Sequence, residues 1–201
     1  MNNLFNSGGF VMWPLLVCSI TSLSCIFERF YYWGIIDWHN RNTLEIIIEK
    51  FINHPNDSIK FLKQNKIYPL ARILIRVADY KNLDSESFHL ALTYAIQSSI
   101  KDIKKFDNLF STIITISPLL GLLGTILGLI KSFALLDLGK GDINSVGVTG
   151  GISEALVSTA AGLIVAIFTL MFANYFKSQS NNHISLIKEN SAKLELANSI
   201  K

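Results

Sequence analysis

One carboxylate stands at the head of a long uncharged run. Glu154 lies in Gly151-Ile-Ser-Glu-Ala-Leu-Val-Ser-Thr-Ala-Ala-Gly-Leu163, and no charged residue follows from Ala155 to Phe176. Hydrocarbon tolerates an ionisable side chain poorly, so one at that depth is a candidate functional group by default. Desolvation disfavours the charged form of a carboxylate and brings its proton exchange towards neutral pH. Two readings are open at Glu154. It is either a proton-binding group on a channel wall or an interfacial acid near a helix start, stabilised by the helix dipole. A second uncharged run, Asn108 to Ile130, carries a polar stripe that could face it.

On a helix of 3.6 residues per turn, Ser117, Gly121, Gly124, Thr125, Gly128 and Ser132 fall within about 100° of one another. Glu154, Ala155, Ser158, Thr159, Gly162, Ala166, Thr169 and Ala173 fall within roughly 140° on the other run. Small residues let membrane helices approach closely, and hydroxyls can donate or accept at such a seam. Close packing alone explains the glycines, as in Gly124-x-x-x-Gly128. For Thr125 and Thr159, packing and pore lining are both open, because a Thr in a membrane helix often bonds its own backbone. Glu28 is read as an interfacial anchor beside Arg29 and the aromatic cluster Phe30 to Trp33.

These residues need spans to hold them. Half of the 201 residues are hydrophobic and the net charge is +3; the mean hydropathy is +0.37. Three uncharged stretches, 1–27, 108–130 and 155–176, each approach or exceed the roughly 20 residues that a span needs. The first has no basic leader and no small-residue cleavage pattern, so it reads as a retained helix rather than a signal peptide. Residues 37–107 carry eleven Lys or Arg, 1–9 none, and 137–152 only Lys140. That alternation predicts an N-terminus outside, a long inner loop, a short outer loop and an inner tail. The positive charge reflects this asymmetry rather than nucleic-acid binding.

The expected organisation is a leader at 1–9, spans at 10–36, 108–136 and 153–176, an inner helical segment at 37–107, an outer loop at 137–152 and an inner helical tail at 177–201. Leu44, Ile47, Ile48 and Phe51 give one amphipathic stripe; Leu70, Ile73, Leu74 and Val77 give another. From Glu86 nothing breaks the helical pattern before Pro118, which predicts a helix continuous with the second span. Ile184, Ile187, Ser191, Leu194 and Ala197 continue the third span. The inner segment looks too thinly apolar to hold a large core of its own. Cys18 and Cys25, seven apart on one face, are too far apart for a disulfide within one helix. His39, His54, His89 and His183 have no ligand spacing. No metal site, cofactor or nucleophile is expected, so the chain reads as a non-enzyme.

At these positions the chain resembles the MotA/TolQ/ExbB family of inner-membrane ion-channel subunits. Pro118-Leu-Leu-Gly-Leu-Leu-Gly-Thr125 is similar to the family's second-helix motif, and Gly151 to Leu163 to its third-helix motif; Ala173-Asn-Tyr-Phe176 resembles the ending that follows. Gly9-Phe-Val-Met-Trp-Pro-Leu-Leu16 and Ile26-Phe-Glu-Arg29 look specifically like the ExbB branch. The resemblance implies an all-α, three-span protein with long cytoplasmic helical extensions, assembled as a homo-oligomeric, pentameric ring in the bacterial inner membrane. It implies a single-span partner of the ExbD/TolR type inside the ring, a TonB-type protein beyond it, and lipid around it. On this chain the matching ion-path residues are Glu154, Thr125 and Thr159. Pro118, Gly121, Gly124, Gly128, Ser158 and Gly162 form the packing or pore seam. The implied function is use of the proton motive force to energise TonB-dependent outer-membrane transport. The alternatives are a TolQ-like role in the Tol-Pal system and a passive membrane scaffold. Family members commonly have Pro where this chain has Phe168, and losing a proline removes a kink.

Overall fold

The computed structural model describes residues 8–38, 55–66, 68–78, 85–137 and 145–199. Among them every regular element is a helix: α1 (Met12–Trp38), α2 (Pro55–Gln64), α3 (Pro69–Val77), α4 (Ser85–Ile103), α5 (Asp107–Asp137) and α6 (Ser145–Ser199). Most of the leader, the Leu44 to Phe51 stripe, His39, His54 and Lys140 lie outside the described residues. Among the described residues, three segments are long and apolar enough to cross a membrane: Met12–Ile36, Glu86–Ala134 and Gly147–Glu195. The chain divides into two compact units, one of Met1–Glu28 with Phe106–Tyr175, the other of Arg29–Lys105 with Phe176–Lys201.

The first unit turns the soluble-protein pattern inside out. Leu119, Leu122, Ile126 and Ile130 of α5 are exposed, as are Leu156, Ile164, Ile167 and Met171 of α6. The buried side is small and polar: Ser117, Ser132, Ala155, Ser158, Ala166 and Thr169. Water would reject such an exterior, whereas lipid accepts it, and close backbone approach rather than apolar burial joins the helices. Neighbours across the α5–α6 seam run in opposite order, Gly121 beside Thr159, Gly124 beside Ser158 and Gly128 beside Ala155, so these helices are antiparallel. Gly9 lies against Glu154 and Val11 against Gly124. Further along, Ser22 bonds Thr169 at 2.7 Å, so α1 runs parallel to this part of α6. The Thr169 hydroxyl spends its proton on the Val165 carbonyl; Ser22 is therefore the donor to it. Cys18 is half-buried and Cys25 buried, both as free thiols.

The second unit has a core built jointly by the inner segment and the tail. Leu62, Tyr68, Leu70, Ala71 and Leu74 pack with Leu194. The far end of the chain adds apolar surface: Ile184, Ile187 and Leu194 of α6 are buried. Phe88, Leu92, Ala95, Ser99 and Ile103 form the buried face of α4 at helical spacing. Burial pushes the Tyr68 phenol above its ordinary 10.0.

The continuous helix expected from Glu86 is interrupted. α4 stops at Ile103, and the chain passes through Phe106 at φ 72° before α5 begins. A bulky residue adopts that conformation only when its surroundings demand it. The reason lies partly in Arg29, which is buried and donates to the carbonyls of Ile103 at 3.2 Å and Asp102 at 3.5 Å. The Ser180 hydroxyl also donates to the Ile103 carbonyl, at 3.4 Å. A cation at a helix C-terminus satisfies the carbonyls that would otherwise call for another turn. Arg29 thus caps the end of α4. Trp33 is likewise buried, its ring 4.7 Å from that of His183.

Candidate functional site

The seam tolerates almost nothing larger than what it has. A methyl carbon added to Gly121 would stand 3.0 Å from Thr159 Cα, and one on Gly128 would stand 2.7 Å from the Gly151 carbonyl. At Gly124 it would collide with the Ser158 side chain; at Gly162 it would reach 2.5 Å from the Ser117 carbonyl. The steps 121, 124, 128 and 132 on α5 meet 162, 158, 155 and 151 on α6, one small residue against another at each turn. Ser132 donates across to the Val148 carbonyl at 3.1 Å and to its own Gly128 carbonyl at 3.0 Å. Ser158 donates to its own Ala155 carbonyl. Pro118 sits inside α5, where it has no N–H to give the preceding turn. Beside it, Ser117 is fully buried.

The two threonines separate. Thr159 donates across the seam to the Gly121 carbonyl at 2.9 Å, while Thr125 donates to its own Leu122 carbonyl at 2.6 Å. Gly121 lies one turn before Thr125, so the Thr159 hydroxyl reaches the turn below it. Of these two threonines, Thr159 alone bonds a neighbouring helix.

Glu154 sits towards the Ser132–Gly151 end of the same seam. α6 opens at Ser145, so Glu154 is nine residues inside the helix, about 14 Å of rise. The dipole acts within the first turn. The helix-start reading of Glu154 therefore fails, and another group holds the carboxylate. That group is Lys131, whose Nζ donates to Oε2 at 2.7 Å. The other oxygen, Oε1, abuts Gly9, which stands at φ 69° and has no room for a side chain. The Glu154 side chain is 20% exposed and that of Lys131 63%. A charged side chain in a span is normally paired, and each partner here lowers the cost of the other.

Lys131 is the residue that sequence reasoning missed. It closes the uncharged run from Asn108 to Ile130 and was absorbed into neither the charge count of the loops nor the polar stripe. The antiparallel register would have found it, because partners across the seam sum to nearly constant numbers and Glu154 falls opposite 128–131. Among the described residues no three His, Cys, Asp or Glu gather as metal ligands would. His89 pairs with Glu195 at 2.7 Å on the surface of the second unit.

The profile of the MotA/TolQ/ExbB proton channel family matches residues 43–189. The chain belongs to that family. The ExbB-like 3 biopolymer transport protein of Synechocystis sp. is 44% identical over 191 residues, covering 94% of this chain and 91% of the relative. ExbB-like 1 of the same organism is 32% identical over 198 residues, with 96% and 76% coverage. The Tol-Pal system protein TolQ of Haemophilus influenzae is 32% identical over 91 residues, 45% of this chain and 40% of that one. The α6 of this family member runs through Phe168 without a proline, and Phe168 stacks edge-on against Phe172 at 4.8 Å.

Proposed function

We propose that this chain is an ExbB-type subunit of an inner-membrane proton channel. Five copies form a ring around an ExbD-type single-span partner, and the complex uses the proton motive force to energise TonB-dependent outer-membrane transport. The N-terminus faces the periplasm and the C-terminus the cytoplasm. Glu154 exchanges the moving ion; Thr159 and Thr125 line its way inward. Pro118, Gly121, Gly124, Gly128, Ser158 and Gly162 hold the two helices at the distance this requires.

The observation that carries the reading is the setting of Glu154, a partly open carboxylate nine residues into α6 at the head of its uncharged run, flanked by one ammonium and one glycine. A passive scaffold has no use for a charge there, since an apolar residue would be cheaper in lipid. The names of the relatives, biopolymer transport proteins of the ExbB type, support the ExbB-type reading. The TolQ match supports the Tol-Pal role as the second reading.

Glu154→Gln keeps size and hydrogen bonding and removes titration. In vesicles holding ring and partner, a wild-type pH gradient should dissipate and that of the variant should persist, with the ring intact. Equal dissipation by both would remove Glu154 from the path. Deletion of the gene followed by assays of iron-chelate uptake and of envelope integrity separates the TonB role from the Tol role.

A further inference from the structure

The pairing of Lys131 with Glu154 does more than neutralise a charge. Glu154 Oε2 accepts from the ammonium at 2.7 Å, and Oε1 is covered by Gly9. Both oxygens are therefore occupied. The place at Oε2 is the one a hydrated proton or monovalent cation would take on passing. The Lys131 side chain is 63% exposed and is held on a flexible four-carbon stem, whereas the carboxylate is only 20% exposed. Of the two, the lysine is free to leave. Among the described charged residues of the first unit, Glu28 and Asp107 lie at the other end of the spans by sequence position and Asp137 is a further acid at the end of α5, so Lys131 is the one cation among them.

We propose that Lys131 is a tethered counter-cation that closes the ion path of the unpartnered ring. Its ammonium fills the cation place at Glu154 and blocks exchange until it swings aside. Lys131 is a positioning residue: it acts through Glu154 and carries no proton itself. The inference rests on the channel reading above. It adds a reason why a ring without its partner would not leak, which a pair serving only to neutralise charge would not provide.

The test uses the full chain in vesicles, with and without its single-span partner, under an imposed pH gradient. Wild type alone should hold the gradient. Lys131→Met alone should leak about ten-fold faster, the scale of one modest charge interaction. Lys131→Arg, which keeps a cation on the carboxylate, should stay tight. The double variant Lys131→Met/Glu154→Gln should be tight again, because the leak runs through the freed carboxylate. A tight Lys131→Met ring of normal size would overturn the gate. So would a leak that persists in the double variant, since it would come from damaged packing. If wild type with its partner fails to dissipate the gradient, the channel reading itself falls; if it conducts while Lys131→Met alone stays tight, only the gate falls.

Discussion

The threonines show how one side-chain type takes two parts. Thr159 ties α6 to α5 through the Gly121 carbonyl, whereas Thr125 closes on its own helix. Replacing either by Val keeps shape and deletes the hydroxyl. Thr159→Val should lower proton flux and also cost about 0.5–1.5 kcal/mol of stability, the net worth of one hydrogen bond. Thr125→Val should lower flux with little change in melting. Flux and thermal unfolding on the same preparations check the split; identical melting of the two variants would place the Thr159 bond outside the energetics. Arg29 offers a second case. Arg29→Met leaves the Ile103 and Asp102 carbonyls without their cation, and should cost about 1–3 kcal/mol. Arg29→Lys should recover part of that. The readout is the unfolding midpoint, and an unchanged midpoint for Arg29→Met would show that Ser180 alone suffices.

At the scale of elements, the same substitution should have opposite signs on two helices. Gly34 of α1 has open space around it, and an added methyl group meets nothing within 4 Å. Gly34→Ala should therefore be stabilising by up to about 1 kcal/mol, from helix propensity alone. Gly124→Ala would drive its methyl into Ser158 at the α5–α6 seam. Overpacking of this kind costs about 1–3 kcal/mol and should show as a lower melting temperature and loss of intact assembly. Two stable variants would mean that the seam can open without cost. The break at Phe106 belongs to this scale as well. The pattern of apolar residues runs through it unbroken, but a capped α4 and a left-handed residue stop the helix there.

For the whole molecule, the spans and their inverted packing set what surrounds the chain, and charge sets which way it points. The basic inner segment and an outer connection with a single Lys predict the orientation. In a background lacking Cys18 and Cys25, Gly150→Cys should react with an impermeant thiol reagent applied from the periplasmic side. Lys101→Cys, exposed on α4, should react only after the membrane is opened. The reverse pattern would turn the protein over and put Glu154 at the inner end of its path. The second unit also depends on the whole chain: its core takes Leu194 from the tail, more than a hundred residues after Leu74.

The spans, their order and the face that carries small residues were all legible in the residues, because lipid imposes length and polarity on each helix separately. Glu154 also stands out as a candidate, since a lone carboxylate beside an uncharged run is visible without any knowledge of its neighbours. Which group answers it is not. Lys131 and Glu154 are 23 residues apart, and only the antiparallel register of α5 and α6 brings them to 2.7 Å. The same holds for Thr159 on Gly121 and for Ser22 on Thr169, which are partnerships between helices that no single helix announces. The end of α4 was hidden for a related reason. Its stop signal is not a glycine or proline beside it but an arginine 74 residues earlier in the chain. Periodicity reports what one helix does to its surroundings; pairing of charges and capping of carbonyls depend on which surroundings arrive, and that is decided only when the helices pack.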